Sequence, residues 1–549
     1  MDNLPPEILA MIFQLVAIEQ PALSTAISKC SGHGQYPLRM TIGTCARCRI
    51  SYLGWINALH VCRRWRDTAI ATPGLWTTLT NNMSTGVADV FLARSHESNL
   101  RLLWDGFVSN MSSHQLDVLM HILASARLRV TELVAPLSMM HASRTAFAQS
   151  PLCNLRRLEM ECDADQSAAN ILDPLTIVQS TALRELSVFM RVQNIAWRSV
   201  IPRLAQLRVL EIDVGMPGYL TENLFVAVQA IDSLEILRLH GLRDGESIAV
   251  TKSMKDVELA TCTEVDLEGE DEAVATVLGV LRLRTDVRLR VHASLRELGE
   301  IVCTPLAITA LHGFLDEGKR RDSVSYLRAS FEHASAPIPG SNNIFFPSFV
   351  KTRWRLCAFH HDTEHDDTPA SGLADLEVEI GWTAYDSTAR SSLAKHGDDF
   401  FGLAGAIGSN IQEVHLISPP TGAAIYTPDY VHHHFKSWTS VKRVRVTGVN
   451  VASRALDELS PHTERTPLFP QLSELAFSGV YVEDWTSAAL ISSECLGAKL
   501  ARVARERRAA GHPLQRIEMS GDAKVLQKEG WRSELSEVAN TEIRGLHPM

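Results

Sequence analysis

The spacing of apolar residues changes character along this chain. In "NLPPEILAMIFQLV" (3–16), Ile8, Ile12, Leu15 and Val16 return at helical spacing, with Leu9 and Phe13 widening the stripe. Asn3 can cap this helix, Pro5 and Pro6 sit where no amide donor is needed, and Glu7 favours the positive end of the helix dipole. The stripe covers more than half of the circumference, so contact on two sides is expected. A second helix is expected from about Trp55 to Ile70. Ile56, Leu59, Cys62, Trp65 and Ala69 form one face, and Arg63, Arg64, Arg66 and Asp67 the other. Thr72-Pro73-Gly74 ends it, and Leu75-Trp76 opens a further short turn. Helices this short cannot hide so much apolar surface by themselves, so a partner surface is expected.

From about residue 125 a different phrase takes over: apolar, two variable, apolar, one variable, apolar. It stands at Leu155/Leu158/Met160, Leu183/Leu186/Val188, Leu207/Leu210/Ile212 and Leu234/Leu237/Leu239, with a weaker copy at Met254/Val257/Leu259. It resumes at Ile411/Val414/Leu416, Val441/Val444/Val446, Leu472/Leu475/Phe477 and Leu514/Ile517/Met519. The last two apolar positions alternate inward along a short strand, and the first closes the preceding turn. Starts in the first group are 20 to 28 residues apart, which is similar to a leucine-rich repeat of irregular class. The resemblance implies an α/β fold: a curved solenoid of parallel strands with an exposed concave face, over residues 81–549. A globular α/β domain whose strands merely begin alike is the alternative, and nine copies argue against it. Residues 285–405 fit poorly. "VRLRV", "YLRASF" and "LEVEIGW" could be strands, whereas 333–349 and 360–372 read as long loops, so an interruption or bulge is expected there.

Taken together, "LPPEILAMIF" and "LHVCRRWRDTAIATPGLW" resemble the F-box, in the F-box-like form common in large fungal families. The match spans residues 4 to 17 and 53 to 80 of an expected domain 1–80, with an insert at about 18–52. That family module is a three-helix unit docking on the Skp-type adaptor of a cullin–RING ubiquitin ligase. The resemblance implies adaptor contacts from Leu4, Pro5, Pro6, Ile8, Ile12, Phe13, Val61, Cys62, Trp65, Leu75 and Trp76. Some of these must instead form the module's own core, and sequence does not divide them. The implied function is substrate recognition in an SCF-type ligase, with the repeats holding an unidentified protein substrate. A repeat scaffold with no link to ubiquitination is the alternative.

Composition narrows the remainder. The chain has 549 residues and a net charge of −10, which argues against broad phosphate-driven nucleic-acid binding. The first residues have no basic segment of a secretory signal, and no run approaches the roughly 18 to 20 apolar residues of a spanning helix. Ten scattered cysteines read as reduced thiols, which places the protein in the cytoplasm and/or nucleus. Within the insert, Cys30, His33, Cys45 and Cys48 form two pairs with a spacing that a tetrahedral zinc site could use, against the alternative of a loop with free thiols. "HHDTEHDD" (360–367) reads as a solvated acidic loop, and the histidines at 432–434 and the basic run 502–516 as solvent-facing helical stretches. No phosphate-binding glycine loop and no Gly-x-Ser-x-Gly elbow occurs. No catalytic residue or cofactor is therefore expected.

Overall fold

The structure, a computed structural model, describes residues 4–19, 54–80, 83–104, 113–136, 151–161, 182–189, 204–213, 222–242, 256–284, 287–296, 326–336, 349–359, 376–385, 411–417, 438–447, 449–460, 468–478, 495–520 and 530–544, and a few isolated positions. It is a mixed α/β protein whose strands are mostly parallel. The chain divides into two compact units, residues 1–242 with 257–262 and residues 243–256 with 263–549.

The first unit opens with helix α1 (Pro6–Glu19). The single helix expected over 55–70 is two pieces instead: a 3-10 segment (Gly54–His60) and α2 (Arg63–Ile70). Cys62 between them is extended, with φ −158° and ψ 169°. This break lets Trp55 turn into the core while Arg66 Nε, at 2.9 Å, donates to the Leu59 carbonyl that the helix would otherwise have used. A second 3-10 turn (Pro73–Trp76) leads into strand β1 (Thr78–Thr80), α3 (Thr85–Arg94), β2 (Leu100–Leu103), α4 (Ser113–Ala126) and β3 (Val130–Pro136). Then follow β4 (Arg157–Glu161), β5 (Glu185–Phe189), β6 (Val209–Asp213), α5 (Glu222–Gln229), β7 (Ile236–Leu242) and β8 (Val257–Leu259). Strands β1 to β7 pair in chain order, each parallel to the next. The sheet therefore begins some fifty residues before the recurring phrase is legible.

The ladder between β4 and β7 repeats one device. The carbonyl just ahead of a strand accepts two consecutive amides of the following unit. Arg156 accepts from Arg184 and Glu185, Arg184 from Arg208 and Val209, and Arg208 from Glu235 and Ile236, all at 2.7–2.9 Å. Leu158, Leu186, Leu210 and Leu237 are fully buried, and so are Met160, Val188 and Leu239. The leading leucine of each phrase is held by a turn, as where the Leu207 amide donates to the Leu204 carbonyl at 2.9 Å.

The second unit holds β9 (Glu264–Glu270), α6 (Asp271–Val280), β10 (Leu281–Leu283), β11 (Arg288–Arg296), β12 (Tyr326–Ala336), β13 (Phe349–Phe359) and β14 (Leu376–Tyr385). Strand β11 runs parallel to β9, and on its other side it pairs with β14. β14, β13 and β12 form an antiparallel meander, after which β12 is parallel to β15 (Glu413–Ile417). The expected interruption is thus an antiparallel strand set into a parallel series, with the flanking strands in reversed spatial order. The edges of the 333–349 segment, expected as loop, belong to β12 and β13; residues 337–348 lie outside the described residues, as do 360–367 and 432–434. Parallel pairing then continues through β16 (Arg443–Thr447), β17 (Glu474–Ser478), β18 (Arg516–Ser520) and β19 (Asn540–Arg544). Helices α7 (Val449–Leu459), α8 (Leu496–Ala509) and α9 (Gly530–Val538) stand between these strands in sequence.

Candidate protein-docking surface

Residues on α1 at i and i+4 share a face, and this helix has two apolar faces. Leu9 and Phe13 point inward and are buried. Ile8, Met11, Ile12, Leu15 and Val16, at i, i+3, i+4, i+7 and i+8, form a second stripe that is 42%, 59%, 39%, 64% and 37% exposed. Val61 (60%) and Ile70 (39%) add apolar exposure beside the break before α2 and at its end. Five large aliphatic side chains in one helical stripe are an unusual exposure for a folded surface. Covering their open halves stabilises a complex by roughly 4–7 kcal/mol before association costs, at about 1.5–3 kcal/mol per fully buried side chain.

The structure divides the residues singled out from the sequence. Pro5, Pro6, Ile8, Ile12, Val61 and Cys62 are exposed, and Leu4 and Trp65 are half-buried. Phe13, Leu75 and Trp76 are core. The core is aromatic: Trp76 meets Trp55 edge-on at 5.0 Å and Phe91 of α3 at 5.0 Å, while Phe13 takes the edge of Trp65 at 5.2 Å. Trp76 Nε1 donates to the Ala69 carbonyl at 2.9 Å, and the Arg94 guanidinium lies 4.3 Å from the Trp76 ring centroid. Arg64 donates to the Leu4 carbonyl, tying α2 to the start of α1. Sequence periodicity missed Met11 and Ile70 as surface residues, although Met11 completes the stripe of Ile8, Ile12, Leu15 and Val16.

Each unit also has a broad strand face opposite its own core. In the first unit it carries Arg101–Glu132 (3.1 Å), Arg157 with Glu159 (3.5 Å) and Glu185 (3.7 Å), and Ser187 donating to Glu211 (3.1 Å). In the second unit, Arg443 lies 3.0 Å from Glu474, 3.6 Å from Glu518 and 3.9 Å from Glu413. Arg445 takes Glu413 at 2.6 Å, and Arg516 takes Glu542 at 2.6 Å and Glu518 at 2.9 Å. The hydrogen bond that Arg516 donates to Glu542 raises the pKa of Arg516. His415, Thr447 and Ser478 form a chain of hydrogen bonds across β15, β16 and β17, at 2.9 and 2.7 Å.

The basic run 502–516 has a solvated face at Arg505 and Arg508, but Arg507 turns into the core. Arg505 pairs with Glu534 at 2.7 Å, Arg508 donates to the Glu537 carbonyl at 2.6 Å, and Arg502 lies 3.4 Å from Glu506. Arg507 is fully buried and donates to the carbonyls of Leu459, Leu468 and Phe469 at 3.3, 3.0 and 2.8 Å. Burial pulls its pKa down to about 10.

Cys30, His33, Cys45 and Cys48 lie outside the described residues, among which no group of three or more His, Cys, Asp or Glu could hold a metal ion. No helix among the described residues is long and apolar enough to cross a membrane. No protein-family model matches the chain, and no curated protein matches it.

Proposed function

We propose that this chain is an F-box-like substrate receptor of an SCF-type cullin–RING ubiquitin ligase. The observation that carries the reading is the outward stripe Ile8–Met11–Ile12–Leu15–Val16, on a helix whose other stripe is already spent in the core. In this reading that stripe, with Val61 and Cys62, docks on a Skp-type adaptor, and Phe13, Leu75 and Trp76 hold the helices in place behind it. The strand-bearing remainder is an irregular leucine-rich-repeat solenoid. Supporting this, eight copies of the phrase have all three apolar positions buried among the described residues, and the strands they form pair in parallel wherever two copies are adjacent. The chain performs no chemistry itself; it holds a protein substrate at high effective concentration near the ubiquitin-charged enzyme, in the cytoplasm and/or nucleus.

Calorimetric titration of the full chain with a purified Skp-type adaptor tests this. Wild type binds, and Leu15→Asp or Met11→Asp abolishes binding while the thermal transition is kept, because both side chains are more than half open to solvent already. Failure of the wild type to bind the adaptor refutes the reading and favours a scaffold unrelated to ubiquitination.

A further inference from the structure

Register puts Arg156, Arg184 and Arg208 at one position of three consecutive strand lead-ins, since each carbonyl in this series accepts the amide of the next arginine at 2.7–2.8 Å. Adjacent strands lie about 4.8 Å apart, so the three Cα atoms span roughly 10 Å. Arg156 and Arg184 are exposed and form no ion pair among the described residues. Glu185, beside Arg184, lies 3.7 Å from Arg157, and Arg208 alone of the three is paired, with Glu235 at 3.3 Å. Like charges one strand apart repel, and among the described residues no carboxylate pairs with Arg156 or Arg184 to compensate them. The contrast with α8 is direct, because Arg502, Arg505, Arg507 and Arg508 are all engaged within the unit. In the adjoining register column stand Val209 and Ile236, half-buried and aliphatic.

We infer that the column Arg156–Arg184–Arg208 receives an acidic, extended segment of a partner polypeptide. This rests on reading the strand-bearing region as a substrate-binding face. Alternate residues of an extended peptide present side chains to one face at roughly 7 Å intervals, so two carboxylates can meet the guanidinium forks within the roughly 10 Å column, with an aliphatic residue beyond them over Val209 and Ile236. A long polyanion such as RNA fits less well, given the interleaved Glu185 and Glu235 and the chain's net charge of −10.

Fluorescence anisotropy on the full chain decides the matter, with labelled decaglutamate, decaglutamine and an oligouridylate of equal length as probes. Decaglutamate binds in a salt-dependent manner, and the Arg156→Ser/Arg184→Ser double variant binds it about tenfold more weakly. Arg156→Lys/Arg184→Lys keeps the charge and recovers part of the affinity. Arg63→Ser, which removes an exposed cation elsewhere, leaves it unchanged. The serine variant melts no lower than wild type, since it relieves a repulsion and breaks no side-chain ion pair among the described residues. Equal affinity of wild type and the serine variant, equal binding of decaglutamine, or preference for oligouridylate overturns the inference. Adaptor titration of the same samples separates the two readings: the serine variant binds adaptor like wild type, and loss of adaptor binding by wild type sinks the ligase reading alone.

Discussion

Gly497→Ala should open the C-terminal end of the second unit. Gly497 is in the first turn of α8, whose start is organised by Cys495: its carbonyl accepts from Lys499 at 3.0 Å and its thiol from the Ala498 amide at 3.5 Å. Trp531 of α9 lies flat against the glycine. A Cβ at position 497 would stand 2.2 Å from Trp531 Cε2 and 2.6 Å from Cδ2 and Cζ2. Cε2 and Cδ2 form the junction of the rigid indole rings and Cζ2 adjoins it, so no rotation of a flexible end relieves the clash, and Trp531 must leave its site. Losing the packing of a buried Trp costs about 3–5 kcal/mol, and the better helix propensity of Ala offsets at most about 1 kcal/mol. The net loss of about 2–4 kcal/mol corresponds to amide exchange over 496–509 and 530–544 faster by about thirty-fold to several-hundred-fold, read by hydrogen exchange with mass spectrometry. Trp531→Ala alone should do the same, and adding Gly497→Ala to it should then be neutral or slightly stabilising. Unchanged exchange in Gly497→Ala, or additive costs in the double variant, would refute the packing argument.

Other substitutions probe different terms. Arg507→Ala leaves the Leu459, Leu468 and Phe469 carbonyls without their donor, at about 1–3 kcal/mol for each one that stays dry, seen as faster exchange over α7 and α8. Because burial lowers Arg507 to about 10, it is charged in folded and unfolded chains at pH 6–9, and the cost should be flat there. Above pH 10 the unfolded chain keeps the proton that the folded chain releases, so this group's contribution rises with pH. Leu210→Ala, at a fully buried position of β6, should cost about 2–5 kcal/mol by denaturation, whereas Arg208→Ala on the lead-in of the same strand should cost under about 1 kcal/mol. Arg443→Ala leaves Glu413, Glu474 and Glu518 facing one another, and its destabilisation of β15 to β18 should shrink as salt is added, followed by thermal melts.

Much of the fold was legible without coordinates. Leu158 and Met160, or Val444 and Val446, are inward because side chains alternate along a strand, and the leading apolar residue closes a turn; both are local periodicities. Strands β1 and β2 were not legible, because Leu79 and Leu100–Leu103 carry no full copy of the phrase. The reading of 502–516 as a helix with a solvated face holds for Arg505 and Arg508 but not for Arg507, because the carbonyls that receive Arg507 are supplied from 38 to 48 residues away.

At the N-terminus, the sequence alone determined that one helix would carry apolar residues around more than half of its girth, and that aromatic residues would cluster near Trp55–Trp76. Which stripe is core and which faces outward was decided only in three dimensions. Phe13 reaches the edge of Trp65, and Trp76 is enclosed by Trp55, Phe91 and Arg94, while Met11 and Leu15 meet no partner of that kind within the described residues. The same holds for the strand order at β11, β14 and β12, and for the ion pairs that follow from register. Periodicity is a property of neighbours in sequence, so a single chain displays it. The choice between two equally apolar faces, or between two candidate strand partners, depends on contacts that form only when distant segments meet.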